Sequence, residues 1–138
     1  MKLNIVNSKI IDIPKIVDAK GRGNMGVIEK EVIPFNINRV YYLYDVPSGE
    51  TRGGHAHKDQ LELLIALSGS FEVILDDGIK KEKVMLNNPN KGLIIPTMTW
   101  RELENFSSGA VCLVIASDVY IEEDYIRDYR TFELSVVR

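Results

Sequence analysis

Both histidines of this 138-residue chain lie in the stretch Thr51-Arg52-Gly53-Gly54-His55-Ala56-His57-Lys58. In an extended strand, side chains two residues apart point to the same face, so His55 and His57 project together and Ala56 projects to the other side. Two imidazoles on one strand face can bind a metal ion or exchange protons near neutral pH. The alternative is a pair of solvent-exposed histidines beside a turn.

On both sides of this stretch, the chain reads as short strands separated by turn-forming residues. Short strands at intervals of roughly 8–12 residues are typical of a sandwich or barrel. Asp76-Asp77-Gly78 is a strong hairpin signal between two of them. The sequence therefore predicts an all-β fold. The predicted strands are Arg39–Val46, Leu61–Leu67, Phe71–Leu75, Lys81–Leu86, Gly92–Pro96 and Ala110–Ala116.

Two other segments have local patterns of their own. Ser117–Arg130 is the one helix candidate, because its acidic residues precede its basic residues, as a helix dipole favours. Gly21–Gly26 is rich in glycine but lacks the spacing and the following helix of a phosphate-binding loop. It predicts a turn before a strand.

The composition fits one domain over residues 1–138, with 45% hydrophobic and 27% charged residues. A net charge of −3 gives no electrostatic reason to expect a nucleic acid or a membrane as partner. The single cysteine, Cys112, suits a reducing compartment and lies in an apolar run, which predicts a buried structural thiol. Because Met1–Asn4 lacks the apolar core of a signal peptide, we expect a cytoplasmic protein.

The spacing around the histidines resembles the first sequence motif of the cupins. Gly49, His55, His57, Glu62 and Gly69 fall at its marked positions. The resemblance implies a cupin double-stranded β-helix, which is an antiparallel jelly roll, with the site inside the barrel. Together with the helix candidate, it predicts a single cupin domain that ends in a short C-terminal helix.

The second cupin motif is present in altered form. Pro96, Arg101 and Asn105 occupy its proline, histidine and asparagine positions, and Met98 replaces its usual glycine. A guanidinium has no lone pair to give to a metal ion. We therefore expect a metal-free site with no cofactor, in which Arg101 pairs with Glu62. The alternative is a three-ligand metal site, as in a cupin dioxygenase, with Arg101 in solvent.

A closer resemblance is to the dTDP-4-keto-6-deoxyglucose 3,4-ketoisomerases. It runs in order from about Asp18 to Tyr129, and its strength lies in several segments that occur together at separations like those of the family. The segments are Arg39–Tyr42, Arg52–Lys58, Leu75–Gly78, Trp100–Arg101, Ala116–Asp118 and Asp124–Arg127.

The resemblance implies how the histidines work. The reaction moves a ketone from C4 to C3 of the sugar, which requires a base near the C3 proton and an acid near C4. Imidazole can fill both roles near neutral pH. His55 is expected to be the main base, and His57 to donate to the sugar or relay a proton. Glu62 could orient an imidazole.

The resemblance also implies the residues that bind the substrate. Arg52 suits the diphosphate, which a guanidinium can bind through two hydrogen bonds. Lys58 and Arg127 are further candidates, each with surface exposure as the alternative. Tyr42 could contact the sugar or only pack within the sheet. Trp100 could stack on thymine, although core packing is the more ordinary role of a lone tryptophan. Glu62 and Arg101 complete the expected substrate-binding set.

Two other functions remain open at this point. A cupin 3,5-epimerase would use the same deoxysugar and a histidine base but would invert carbon centres. A non-catalytic cupin would only bind the nucleotide sugar. The family resemblance implies a homodimer, and a product used in deoxyaminosugar biosynthesis for a surface glycan such as the O-antigen of lipopolysaccharide. The C4 configuration of the product, gluco or galacto, is left open.

Overall fold

The computed structural model describes residues 3–136, which form two five-stranded antiparallel sheets, a two-stranded hairpin and one short α-helix. Residues 1–2 and 137–138, which the single-domain prediction includes, lie outside the described residues. The strands are β1 (Lys9–Asp12), β2 (Lys15–Val17), β3 (Asn24–Gly26), β4 (Arg39–Tyr44), β5 (Arg52–His57), β6 (Glu62–Ser68), β7 (Phe71–Asp76), β8 (Lys81–Leu86), β9 (Lys91–Ile95), β10 (Trp100–Glu104), β11 (Val111–Ala116) and β12 (Tyr125–Ile126).

The two large sheets have the strand orders β1-β9-β6-β11-β4 and β12-β5-β10-β7-β8. Their strands connect mostly across the two sheets, and a shared apolar core fills the space between them. Phe71, Val73 and Leu75 from one sheet are fully buried in the same cluster as Leu64 and Val114 from the other. This arrangement confirms the antiparallel jelly roll that the resemblance to the cupins implied.

Strand β6 explains why one predicted strand reads as a continuous apolar run. Its residues Leu64 and Ala66 face the central core, whereas Leu63 and Ile65 face a second cluster on the other side of the sheet. N-terminal residues Ile13 and Ile33 belong to that second cluster. A strand that is buried on both faces needs no polar alternation. The N-terminal segment therefore serves as a cover for this sheet.

The first half of the glycine-rich segment lies in the turn between β2 and β3, and β3 begins at Asn24, so the predicted turn before a strand is confirmed. Gly21 and Gly23 have positive φ angles of 71° and 112°, a conformation that glycine adopts without steric cost. No helix among the described residues is long and apolar enough to cross a membrane.

The predicted helix over Ser117–Arg130 is wrong in its position. A single 3₁₀ turn covers Glu122–Asp124, β12 follows it, and the α-helix, α1, spans Tyr129–Ser135. Asp128 caps α1 by accepting a hydrogen bond from the backbone amide of Thr131, at 2.9 Å. Pairing between β12 and β5 holds Tyr125 and Ile126 in an extended conformation. This tertiary contact overrides the charge pattern that favoured a helix there.

Candidate active site

Strand β5 brings His55 and His57 into the barrel and contains a β-bulge just before them. On β10, Arg101 pairs with His55 and Leu103 pairs with Arg52, so β5 has one extra residue in this interval. Gly53 takes up the bulge with a φ of 79°. Because an extra residue reverses the alternation of side chains, Arg52 reaches the same cavity wall as His55.

A cavity of about 480 Å³ opens at this face of the barrel. Of the residues predicted to form the site, His55, Arg52 and Arg127 line it. The residues that line it are Arg39, Tyr41, Leu43, Arg52, Gly53, Gly54, His55, Tyr120, Tyr125 and Arg127.

Behind the wall of the cavity, Glu62 and Arg101 form an ion pair, 2% and 1% exposed respectively, through Glu62 Oε1 and Arg101 Nη1. The other carboxylate oxygen accepts hydrogen bonds from the Tyr41 hydroxyl and from Gln60 Nε2, each at 2.9 Å. Thr99 O accepts two further hydrogen bonds from the guanidinium. The predicted pairing of Arg101 with Glu62 is confirmed, and the buried charges are well compensated.

His57 is completely buried, and its ring is held from both sides. Its Nδ1 lies 2.9 Å from Asp124 Oδ2, and its Nε2 lies 3.4 Å from Gln60 Nε2. Glu62 Oε2 is 3.7 Å from His57 Nε2, beyond hydrogen-bond distance. The carboxylate that orients an imidazole is therefore Asp124 and not Glu62.

Asp124 comes from the 3₁₀ turn, 67 residues beyond His57 in the chain. Its carboxylate also accepts hydrogen bonds from the backbone amides of Asp59, at 2.6 Å, and Gln60, at 3.3 Å. Partial burial raises the pKa of Asp124, but the amide of Asp59 and the imidazole of His57 outweigh it, so the pKa is lowered. Asp124 thus fastens the loop between β5 and β6 to the C-terminal segment as an ionised carboxylate.

His55 is the histidine that the cavity reaches. Its Nε2 is buried and has no hydrogen-bond partner among the described residues. Burial lowers the pKa of His55 to about 2, and the positive charge of Arg101 acts in the same direction. Burial and Arg101 also lower the pKa of His57, against the opposing effect of Glu62 and Asp124. Both imidazoles are therefore neutral near pH 7.

Four of the six predicted substrate contacts do not line the cavity: Glu62 and Arg101 are buried in their ion pair, and Tyr42 and Lys58 lie on the outside. Tyr42 is 60% exposed on the outer face of β4, because the strand alternates and places Arg39, Tyr41 and Leu43 inward. The tyrosine of β4 that lines the cavity is Tyr41, which the sequence analysis missed. Lys58 is exposed and does not line the cavity.

The sequence left two roles open for Trp100, and the structure gives it the packing role. The indole is 5% exposed, and its ring lies 5.2 Å from Tyr129 and 5.8 Å from Phe132. Cys112 is fully buried in the central core, as predicted, and burial raises the pKa of its thiol.

Three guanidinium groups surround the mouth of the cavity. Arg39 Nη2 donates to the Tyr125 hydroxyl at 3.1 Å, and the Arg127 guanidinium lies 4.1 Å from the centre of the Tyr125 ring. Arg127 also forms an exposed ion pair with Glu122, with Nε 2.8 Å from Oε2. Arg52 completes this rim, which is suited to an anionic ligand.

The cupin fold raises the question of a metal ion, because ligand atoms of His55, His57 and Glu62 lie within 4.8 Å of one another. The surroundings of these atoms do not fit a divalent cation. Arg101 places a permanent positive charge on Glu62, and the Gln60 amide nitrogen faces His57 Nε2. A cation here would meet a guanidinium and an amide donor instead of free lone pairs.

A jelly roll with two histidines on a strand that faces the barrel interior, backed by a buried arginine, defines a cupin. The family model described as "FdtA: WxcM-like, C-terminal" matches residues 6–137. A curated relative, the TDP-4-oxo-6-deoxy-alpha-D-glucose-3,4-oxoisomerase of Aneurinibacillus thermoaerophilus, is 41% identical over 133 residues, 96% of this chain and 95% of its own. The chain therefore belongs to the FdtA family of cupin 3,4-ketoisomerases.

Solved structures agree with this assignment. A 3,4-ketoisomerase from Helicobacter canadensis is 44% identical, with a TM-score of 0.90 over 94% of this chain and 97% of its own. The 3,4-ketoisomerase QdtA from Thermoanaerobacterium thermosaccharolyticum is 38% identical, with a TM-score of 0.91 over 96% and 95%. That structure is a histidine-to-asparagine variant in complex with TDP-4-keto-6-deoxyglucose. This chain is thus a sugar 3,4-ketoisomerase.

Proposed function

We propose that this isomerase converts dTDP-4-keto-6-deoxy-D-glucose into a dTDP-3-keto-6-deoxyhexose, with His55 as the residue that moves the proton. The observation that carries the proposal is the unpartnered Nε2 of His55, on a residue that lines the cavity beside three arginines. A neutral imidazole there can accept a proton, and the arginines can bind the diphosphate.

In this mechanism, the C4 ketone makes the C3 proton acidic. His55 Nε2 takes that proton, and the electron pair moves toward the C4 oxygen to give an enediol-type intermediate. The imidazolium then returns the proton to C4, and the proton of the C3 hydroxyl passes to the C4 oxygen, so that C3 becomes the new ketone and C4 carries the hydroxyl. No atoms are gained or lost. His57, which is completely buried, lies directly behind His55 with the two ring centres 4.8 Å apart.

Arg52 and Arg127 are proposed to bind the diphosphate, and Arg39 is added to them by its place on the rim. Glu62 and Arg101 support the site from behind, since both are buried there. Tyr41 replaces Tyr42 as the tyrosine proposed to face the sugar. Its pKa is raised by burial and by the neighbouring Glu62, so its hydroxyl stays protonated and can donate a hydrogen bond.

The reaction is proposed to need neither a metal nor another cofactor. The pairing of Arg101 with Glu62 supports this, since it ties up the carboxylate that a metal would require. Incubation with dTDP-4-keto-6-deoxyglucose, followed by NMR with and without a chelator, tests substrate, product and metal dependence together. A 3-keto product formed equally well with chelator is expected. Loss of activity with chelator would contradict metal independence.

The rival reaction is 3,5-epimerisation of the same substrate. In the same NMR experiment, an epimerase leaves the ketone at C4 and inverts C3 and C5, whereas the ketoisomerase shifts the carbonyl resonance to C3. Binding without turnover would instead indicate a module that only recognises the nucleotide sugar. The C4 proton coupling of the product also distinguishes the gluco from the galacto configuration.

We further propose that the chain is a single cupin domain that works as a homodimer in the cytoplasm and supplies deoxyaminosugar biosynthesis for a surface glycan such as an O-antigen. On the hairpin of β2 and β3, the apolar side chains Ile16, Val17 and Met25 are each more than half exposed. Such an exposed apolar surface is an argument for a dimer. The outer face of the edge strand β4 is similar, with Tyr42 60% and Tyr44 61% exposed. A second copy that covers these surfaces would remove both an apolar face and an open sheet edge from water.

Light scattering tests the oligomeric state. We expect twice the chain mass, and we expect Tyr42→Glu to shift the population toward monomer. The matched control is Leu134→Glu, which changes an exposed apolar residue away from the proposed interface, on α1. This variant should remain dimeric. A wild-type protein that scatters only as a monomer would contradict this proposal.

A further inference from the structure

His57 Nδ1 faces a group that can only accept a hydrogen bond. Its partner is Asp124 Oδ2 at 2.9 Å, and the pKa of that carboxyl lies below its usual range. An ionised carboxylate has no proton to donate. The proton of this hydrogen bond therefore belongs to His57 Nδ1.

His57 Nε2 faces a group that can only donate. Gln60 Nε2 lies 2.9 Å from Glu62 Oε2 and 3.4 Å from His57 Nε2. The orientation of the amide is fixed by Glu62, because a carboxylate that is ion-paired with Arg101 accepts the amide N–H and would repel the amide oxygen. The same NH₂ group then points a second N–H toward His57. The lone pair of the imidazole is therefore on Nε2.

We infer that Asp124 and Gln60 are positioning residues that hold His57 as the neutral Nδ1–H tautomer, which leaves His55 as the histidine that exchanges the substrate proton. The inference rests on the proposed function and assigns different tasks to the two histidines. Protonation of His57 Nε2 would bring an N–H against the amide NH₂ of Gln60, and Glu62 Oε2, at 3.7 Å, is beyond hydrogen-bond distance.

The held ring in turn positions His55. The two imidazoles meet edge to face at 4.8 Å, with an angle of 82° between their planes. The Tyr125 ring lies 4.3 Å from His57 and 5.0 Å from His55, and completes a small aromatic group. Rotation of the His57 ring would change the edge-to-face contact that packs against the His55 ring. Asp124 and Gln60 therefore act on the reaction through His57, without contact with the substrate.

The chain contains only two histidines, so ¹⁵N-labelling of histidine gives two sets of ring resonances. We expect one set in the unliganded wild-type protein to show a protonated Nδ1 and an unprotonated Nε2 at neutral pH. A His57→Asn variant assigns the sets by the loss of one of them. If His57 has the Nε2–H tautomer, or if both of its nitrogens carry protons, the inference is overturned.

Variants connect the tautomer to catalysis. In Asp124→Asn and Gln60→Met, side chains of similar shape lack the carboxylate and the amide donor, so both should lose the single tautomer. We expect kcat to fall by about tenfold or more, as tautomer errors at catalytic histidines do, with a KM within about threefold of wild type. Asp118→Asn removes a carboxylate from the same segment and should leave the tautomer and kcat unchanged.

The outcomes separate two failures. If the variants lose activity while the His57 resonances stay in the Nδ1–H form, the loss is only structural and the positioning role is refuted. If the wild type shows the expected tautomer but does not turn over the nucleotide sugar, the proposed function fails and the hydrogen-bond assignment stands.

Discussion

Arg101 and Glu62 form a buried ion pair between β10 and β6, directly behind the two histidines of β5. This relationship places a permanent cation where a metal-binding cupin would have its fourth ligand. Gln60 connects the pair to the histidines, since its amide nitrogen lies 2.9 Å from Glu62 Oε2 and 3.4 Å from His57 Nε2. The arginine in the second cupin motif is therefore the residue on which the proposed metal-free proton transfer depends.

Removal of one partner of this pair is expected to destabilise the fold. Arg101→Met leaves the buried carboxylate of Glu62 without its counter-charge, which costs about 3–5 kcal/mol in comparable buried pairs. Urea denaturation measures the loss. The double variant Arg101→Met/Glu62→Gln should recover part of it, since the uncompensated charge is gone. An Arg101→Met protein as stable as wild type would contradict the importance of the pair.

His55→Asn is expected to lower kcat by about 10²–10⁴-fold, because general-base catalysis is lost while the shape of the side chain is nearly kept. Calorimetric titration with TDP should give an affinity close to wild type. Circular dichroism checks that the fold is intact. Turnover at the wild-type rate would refute the assignment of His55 as the base.

Arg127→Gln is expected to weaken TDP binding by about tenfold, because one charge-assisted contact with the diphosphate is lost, and to leave kcat nearly unchanged. The matched control is Arg130→Gln on α1, where the arginine lies 3.8 Å from Glu133 and outside the cavity lining. Salt should weaken TDP binding less in Arg127→Gln than in wild type. Equal effects of the two variants would argue against a diphosphate contact.

Stability should fall as the pH drops below about 6.5, the ordinary pKa of histidine. Burial lowers the pKa of His55 in the folded state to about 2, so in this window the unfolded chain binds a proton that the folded chain does not. Proton binding by the unfolded state lowers the free energy of unfolding. Thermal melts between pH 7 and about 4.5 should show a shallower decline for His55→Asn. Carboxylates with lowered pKa values, such as Asp18, act only at lower pH.

Gly69 lies in the turn between β6 and β7 and tests the backbone of the cupin motif. Its φ is 66°, and an added Cβ would lie 2.9 Å from Ala110 Cα and 2.4 Å from Ser107 Oγ. Gly109 has a similar φ of 73° with nothing within 4 Å, so it is a matched control. Gly109→Ala should cost about 1–2 kcal/mol from its backbone alone. Gly69→Ala should cost a further 1–3 kcal/mol or so from crowding, measured by urea denaturation.

The sequence by itself determined the features that depend on local pattern and on spacing within one motif. The run of short strands predicted the all-β fold. The alternation of an extended strand placed His55 and His57 on one face, and the arginine in the second motif predicted the pair with Glu62. In each case the signal lies in residue type and short spacing, which the printed sequence contains in full.

Other features were decided only by tertiary structure. Sheet pairing brings Asp124 to His57 across 67 residues, and no local pattern records that contact. The charge pattern of Ser117–Arg130 favoured a helix, but pairing of β12 with β5 held Tyr125–Ile126 extended. Alternation alone could not say which face of β4 is inward, because both faces carry tyrosine. It is the packing of β4 on the barrel that selected Tyr41 over Tyr42.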